Sequence, residues 1–197
     1  MSQAVRHLGR VARRALASMA RGRGESHIRG MPISSVRART AGGFHVVVEA
    51  PRGATVKLKH DPALDVMFAH RPLPLGFAYP YDWGFVPGTK AADGDPVDAL
   101  VYWEVASYPG VVIRCRALGV LELEQDAKGG GRERNDRILA LPLANPRGAG
   151  LHTHADLDRR VLEEIEHFFT SSVFFEPKDP RVLGWRGPEA AERLLGG

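Results

Sequence analysis

From residue 43 to residue 142 the apolar positions fall into runs of strand length, at 44–49, 56–60, 65–69, 100–103, 111–120 and 138–141. Pro51, Gly53, Pro62, Pro87, Gly88, Pro96, Pro109 and Gly110 separate them. Short strands divided by turn residues predict a small β-barrel. The period then changes. Leu157, Val161, Leu162, Ile165, Phe168 and Phe169 recur at helical spacing, with Glu163, Glu164 and Glu166 between them, so a helix with one apolar face is expected to pack on the barrel. A short last helix should open at Pro188 and end near Gly196, following the preference for proline at the start of a helix and glycine past its end. No repeat at a period of about 20–50 residues suggests a solenoid.

Charge divides the chain in two. Residues 1–40 carry nine arginines and one acid, Glu25, a balance of +8 in a chain whose total is +4, so residues 41–197 carry −4. Val5, Leu8, Ala12, Leu16 and Met19 recur every three or four residues among Arg6, Arg10, Arg13, Arg14 and Arg21, the pattern of a basic amphipathic helix. The division expected is therefore a basic leader over 1–40, helical or disordered, and a folded domain over 41–197. The leader has the composition of an organellar transit peptide and equally of a disordered basic arm, and Met31 offers an alternative start. Since the basic charge lies outside the folding part, a nucleic-acid partner is not expected. No apolar run reaches the roughly 20 residues that span a bilayer. The lone Cys115 rules out a disulfide within the monomer and points to a reducing compartment. The cytoplasm is expected, or a mitochondrion or other organelle if residues 1–30 are a transit peptide.

Chemistry concentrates in Asp93-Gly94-Asp95-Pro96-Val97-Asp98. Three carboxylates this close to a glycine and a proline cannot follow a regular strand, so the backbone turns and their side chains can converge. Clustered carboxylates repel one another unless a cation neutralises them, and oxygen donors select Mg²⁺ or Mn²⁺. A solvated acidic turn is the plain alternative. An EF-hand calcium loop is excluded, because Asp98 stands where that loop needs glycine and the flanks are not helical.

The flanks are Tyr79-Pro80-Tyr81-Asp82-Trp83-Gly84-Phe85 before the loop and Pro109-Gly110-Val111-Val112-Ile113-Arg114 after it. In this order the three segments resemble the soluble, single-domain, magnesium-using inorganic pyrophosphatases, from about residue 44 to about 169. The resemblance implies a mainly β fold with helices, a small closed five-stranded OB-like barrel flanked by C-terminal helices. It further implies Mg²⁺-dependent hydrolysis of pyrophosphate to two phosphates and a homo-oligomer. Carried over by position, Asp93 and Asp98 would hold metal and Asp95 would be the general base for a metal-polarised water. Glu49 would be a supporting acid. Lys57, Arg71, Tyr79 and Arg137 would hold phosphate oxygens, where cations meet the charge growing on the leaving group.

Several positions depart from the family pattern. Trp83 stands for a tyrosine, Lys59 for a glutamate, Arg137 for a lysine, and Ser172-Val173 for a tyrosine-lysine pair. Two further family aspartates fall on Gln125 and Asn135. Asp126, beside a glycine-rich turn over 128–132, is expected to rotate in as a metal ligand, whereas the ungapped link from Asn135 to the strand at 138 should turn Asp136 to the opposite face. Lys59 opposes metal binding. Lost charge-assisted hydrogen bonds at about 1.5–3 kcal/mol each would slow the reaction, with Lys178 and the arginines of 132–137 as possible replacements. The alternative function is a weakened relative that binds phosphate, a nucleotide or a partner without turnover. The histidines lack zinc spacing, Cys115 lacks a neighbouring base, and the aromatics read as core or subunit contacts.

Overall fold

The computed structural model of the chain describes residues 32–196, so the leader helix expected before residue 22 lies outside the described residues. In chain order the elements are β1 (Arg39–Thr40), β2 (Gly43–Ala50), β3 (Val56–Asp61), β4 (Val66–Pro72), β5 (Asp82–Phe85), β6 (Asp98–Val101), β7 (Val112–Asp126), β8 (Arg132–Arg134), β9 (Arg137–Pro142), α1 (Arg159–Ser171), β10 (Arg181–Arg186) and α2 (Pro188–Leu194). Over the described residues the fold is mainly β with two α-helices, as the punctuated strand pattern predicts.

Five strands close a ring in the order β2-β5-β6-β9-β7, and pairing of β7 with β2 completes it. Every pairing in the ring is antiparallel except β6 with β9. The length of β7 makes closure possible. Its first residues pair with β2, its middle with β9, and its end with β10 and β8. The register shift between Ala117 and Gly119 lets so long a strand bend. The hairpin β3-β4 forms a separate two-stranded sheet.

Alternation along the strands sends successive side chains to opposite faces. Val46, Val48, Ala99, Val101, Ile138 and Ala140 share one buried cluster, which Ala190 and Ala191 of α2 join. Leu100, Leu121, Leu139 and Leu141 share the other with Ile165, Phe168 and Phe169 of α1 and with Tyr79 and Trp83. The Asp158 side chain caps α1 by accepting the Arg160 N–H at 2.8 Å. Pro188 sits at the first turn of α2, where its missing N–H is not needed.

The strand β5 escapes the hydrophobic pattern because it is only four residues long and holds Asp82 and Gly84. Both residues are structural. Asp82 is fully buried and accepts the Arg52 N–H at 2.7 Å and the Trp103 indole N–H at 3.0 Å, so its charge is held by donors from two other segments. Gly84 lies against β2, where an added Cβ would sit 1.9 Å from the Val47 carbonyl oxygen. Gly84→Ala should therefore push β5 off β2 and cost at least about 3 kcal/mol, the upper range for overpacking. A urea unfolding curve measures this, and an unchanged midpoint would show that the strands separate freely.

Candidate functional site

The acidic loop between β5 and β6 turns as its composition requires. Gly94 takes a φ of 88°, and the Asp93 carboxylate accepts the Asp95 N–H at 3.1 Å. Asp98 opens β6, so it points from a fixed strand end and not from the loop. Asp95 and Asp98 line one cleft of about 340 Å³ with Glu49 of β2, Lys59 and His60 of β3, and Phe85 of β5. Ile33 and Ser34, from a single 3-10 turn, line it as well. Asp65, with a φ of 54°, accepts from the Ile33 N–H at 3.0 Å and lies 2.9 Å from the His60 Nε2, which ties this turn to the β3-β4 hairpin.

Each of the two cleft aspartates has a cationic partner. Lys59 Nζ is 3.1 Å from Asp95 Oδ2, and Arg137 Nη1 is 2.7 Å from Asp98 Oδ2. The second pair follows from topology, because Asp98 and Arg137 are direct partners in the parallel β6-β9 ladder. The Arg137 guanidinium also donates to the Asn135 side-chain oxygen and lies 5.2 Å from the Trp83 ring centroid and 5.6 Å from that of Phe169. Trp83 and Phe169 thus give this arginine an aromatic seat. Burial raises the Asp98 carboxyl above the ordinary range, and Arg137 and Lys57 work against that rise. Glu49 is pushed up to about 7, first by burial and then by the Asp98 charge, against the hydrogen bond from the His60 N–H. For Lys59 the Asp95 carboxylate overcomes burial and raises the ammonium above its usual value.

A second cluster adjoins the first. Lys57 and Arg71, fourteen residues apart in sequence, are cross-strand partners in the β3-β4 hairpin. Both face Glu176, which follows α1. Arg71 Nε donates to Glu176 Oε1 at 2.7 Å, Lys57 Nζ lies 4.0 Å from the same oxygen, and Lys178 Nζ is 3.0 Å from Oε2. Arg71 also donates to the Ser172 carbonyl at 3.2 Å. Burial would raise the Glu176 carboxyl, but Lys57, Lys178 and Arg71 outweigh it and pull it down to about 2. The Lys57 ammonium is lowered, by burial first, with Lys178 beside it and Glu176 opposing. Tyr79 is buried against Trp83 and Phe168 within the range of Arg71, and burial raises its hydroxyl.

The sign of the Glu176 shift gives a test. A carboxylate held below its unfolded value of 4.5 adds stability above that pH and loses it as pH falls towards 2. The shift corresponds to about 3 kcal/mol. Glu176→Gln should show a flatter acid unfolding profile between about pH 4.5 and 2 than the parent chain, read by circular dichroism. Parallel profiles would contradict the assignment.

The remaining candidates lie elsewhere. The Asp126 carboxylate is held by Arg132 Nη1 at 2.8 Å, an arginine that also meets Asp179 through Nη1 and Glu124 through Nε, and Asp126 does not line the cleft of Asp95 and Asp98. The glycine-rich turn therefore brings an arginine onto Asp126 and does not swing it into the cleft. Gln125 is buried and donates to Glu133 at 3.0 Å. Asp136 accepts the Leu123 N–H at 3.0 Å and pairs with Arg134 at 2.9 Å, in a surface network with Glu122 and Arg186. Glu176 is the member of this cluster that sequence reasoning missed. It is the one acid between Ser172-Val173, which stand for the tyrosine-lysine pair, and Lys178, and its position beside Lys178 was the available signal.

Magnesium requires several oxygen donors around an octahedron. Among the described residues no group of three or more His, Cys, Asp or Glu side chains is arranged to hold a metal ion. Asp95 and Asp98 are ion-paired, whereas Asp93 has no ion-pair partner among the described residues. This donor set does not fit a resident metal cluster. It fits a cation that brings most of its own oxygen ligands.

A family model described as inorganic pyrophosphatase matches residues 46–196. The chain is 35% identical over 166 residues to an inorganic pyrophosphatase of Synechocystis, covering 84% of this chain and 95% of the relative. With one from Thermus thermophilus the identity is 37% over 150 residues, covering 75% and 83%. Among solved structures, the crystal structure of inorganic pyrophosphatase from Thermus thermophilus superposes with a TM-score of 0.76 at 32% identity, covering 84% of this chain and 95% of that one. An inorganic pyrophosphatase of Coxiella burnetii gives 0.73 at 35% identity, covering 82% and 96%.

Proposed function

The chain belongs to the inorganic pyrophosphatase family of hydrolases, and on that premise we propose that it cleaves pyrophosphate with Asp95 as general base and magnesium as the cation. One observation carries the reading. The cleft holding Asp95 and Asp98 adjoins three cations, Lys57, Arg71 and Lys178, that already bind an anionic group, the Glu176 carboxylate.

A phosphate oxygen has the charge and size to take the place of that carboxylate. Lys57 and Arg71 would then grip the leaving phosphate, and Tyr79 would support Arg71 from the buried side. Asp93, with Asp98 beside it, would hold magnesium, which supplies charge neutralisation and a more acidic water when bound. Water attacks one phosphorus, the bridging P–O bond breaks, and the proton passes to Asp95. Arg137 holds Asp98 in place through their ion pair. Asp126 has no metal role in this reading, since Arg132 engages it.

Lys59 on Asp95 and the neutral Gln125 and Asn135 favour a slow enzyme, and they are also what would support binding without turnover. Phosphate release from pyrophosphate, followed across magnesium concentrations, separates the two. Release that rises with magnesium and stops on chelation is expected, and no release at any concentration overturns the reading. We place the protein in the cytoplasm on its buried lone thiol Cys115, and assign it a homo-oligomer on the exposed Phe174 and Phe175. No helix among the described residues is long and apolar enough to cross a membrane.

A further inference from the structure

Resting on the reading of the site as one for pyrophosphate, we infer that Lys59 and Arg137 serve as resident cations of the aspartate cleft. The free chain then takes up no divalent metal there, and the metal enters only as a complex with the diphosphate.

The argument begins with charge. The carboxylates of the two adjoining clusters are Glu49, Asp93, Asp95, Asp98 and Glu176, and the cations that act on them are Lys57, Lys59, Arg71, Arg137 and Lys178. Five negative groups thus meet five positive ones. The two clusters together carry no net negative charge for a further dication to neutralise. A site built for resident divalent ions carries the opposite balance, with carboxylates in excess.

Geometry agrees. Lys59 Nζ stands 3.1 Å from Asp95, so a metal ligated by Asp95 would meet an ammonium a few ångströms away. At such a separation the ammonium and a dication repel, which weakens metal binding at Asp95. Arg137 occupies Asp98 Oδ2 at 2.7 Å and donates to the Asn135 side-chain oxygen, which leaves the free chain fewer oxygens for a metal. The guanidinium cannot be deprotonated to relieve this. Asp93 keeps a carboxylate without an ion-pair partner among the described residues.

One or two protein carboxylates together with substrate phosphates are a usual way to bind magnesium, which keeps most of its waters. A diphosphate brings negative charge that the already paired cations cannot fully balance, and its magnesium restores the balance on entry. Asp93 is then the protein's first contact with the incoming complex.

Mn²⁺ as a spectroscopic probe tests this on the full chain, by counting bound ion by electron paramagnetic resonance with and without methylenediphosphonate, which cannot be hydrolysed. The expected result is no stoichiometric uptake of Mn²⁺ alone below millimolar concentration and one or more ions bound once the diphosphonate is added. Lys59→Glu should bind Mn²⁺ alone at least about tenfold more tightly than the parent. Lys59→Gln should shift it in the same direction and serves if the glutamate variant does not fold. Asp93→Asn should lose uptake of the complex. Micromolar binding of Mn²⁺ to the parent without diphosphonate would overturn the inference even if hydrolysis is intact. Failure to bind Mn²⁺ with the diphosphonate would overturn it too. Binding of the complex without any phosphate release from pyrophosphate would sink the hydrolytic reading and leave the inference standing.

Discussion

Arg137→Ala is expected to lower the stability of the domain by about 3 kcal/mol, visible as a fall of roughly 6–12 °C in Tm for a chain of this size. Arg137 is the link between the barrel and the cleft. Its guanidinium pairs with Asp98 and lies against Trp83 and Phe169. Removing it leaves Asp98 without its nearest cation, opens a gap beside two aromatic rings, and frees the Asn135 oxygen. Breaking a buried pair costs roughly 3–5 kcal/mol, and the lower figure applies because a quarter of the Asp98 side chain still meets solvent. Asp98→Ala added to Arg137→Ala should recover part of the loss, since no carboxylate is then stranded. Arg137→Lys should fall between, with the charge kept and the stacked plane lost. A double variant no more stable than Arg137→Ala would show that packing against the rings, and not the ion pair, dominates.

Asp95→Asn acts on the chemistry. General base catalysis contributes about 10²–10⁴ in rate, or about 3–5 kcal/mol of barrier, and kcat should fall by that factor. KM should change little, because Asp95 is not among the groups facing Lys57, Arg71 or Lys178. The asparagine is nearly isosteric and keeps an oxygen for Lys59, so folding should survive. A large rise in KM with kcat preserved would instead assign Asp95 to substrate binding.

The barrel was legible because its strands obey two local signals, alternation and punctuation by glycine and proline. Helix α1 was legible from a single stripe running to Phe169, and Ile165, Phe168 and Phe169 are indeed its buried residues. The strands that the pattern missed are short or irregular. β5 holds a buried aspartate and a glycine. β8 has three residues, and β10 contains Gly184 at a φ of 130° beside a register shift. The site divides the same way. The acidic loop and the Lys57 and Arg71 spacing are local facts, and the hairpin turns that spacing into direct pairing. Glu176 meets Arg71 across 105 residues of sequence, and Lys59 meets Asp95 across 36. No local pattern encodes such encounters. They depend on where the hairpin and the segment after α1 settle on the barrel. Asp126 shows the converse, because local loop length left it free to turn and Arg132, six residues on, decided the direction.

The central claim is that the cleft of Asp95 and Asp98, with its built-in lysine and arginine partners and Asp93 on the same loop, hydrolyses pyrophosphate using Asp95 as base. The most direct test is orthophosphate release from magnesium pyrophosphate by the purified full chain and by Asp95→Asn under identical conditions. The account predicts steady release by the parent and a rate lower by about 10²–10⁴ in the variant. Equal rates in the two proteins would contradict it.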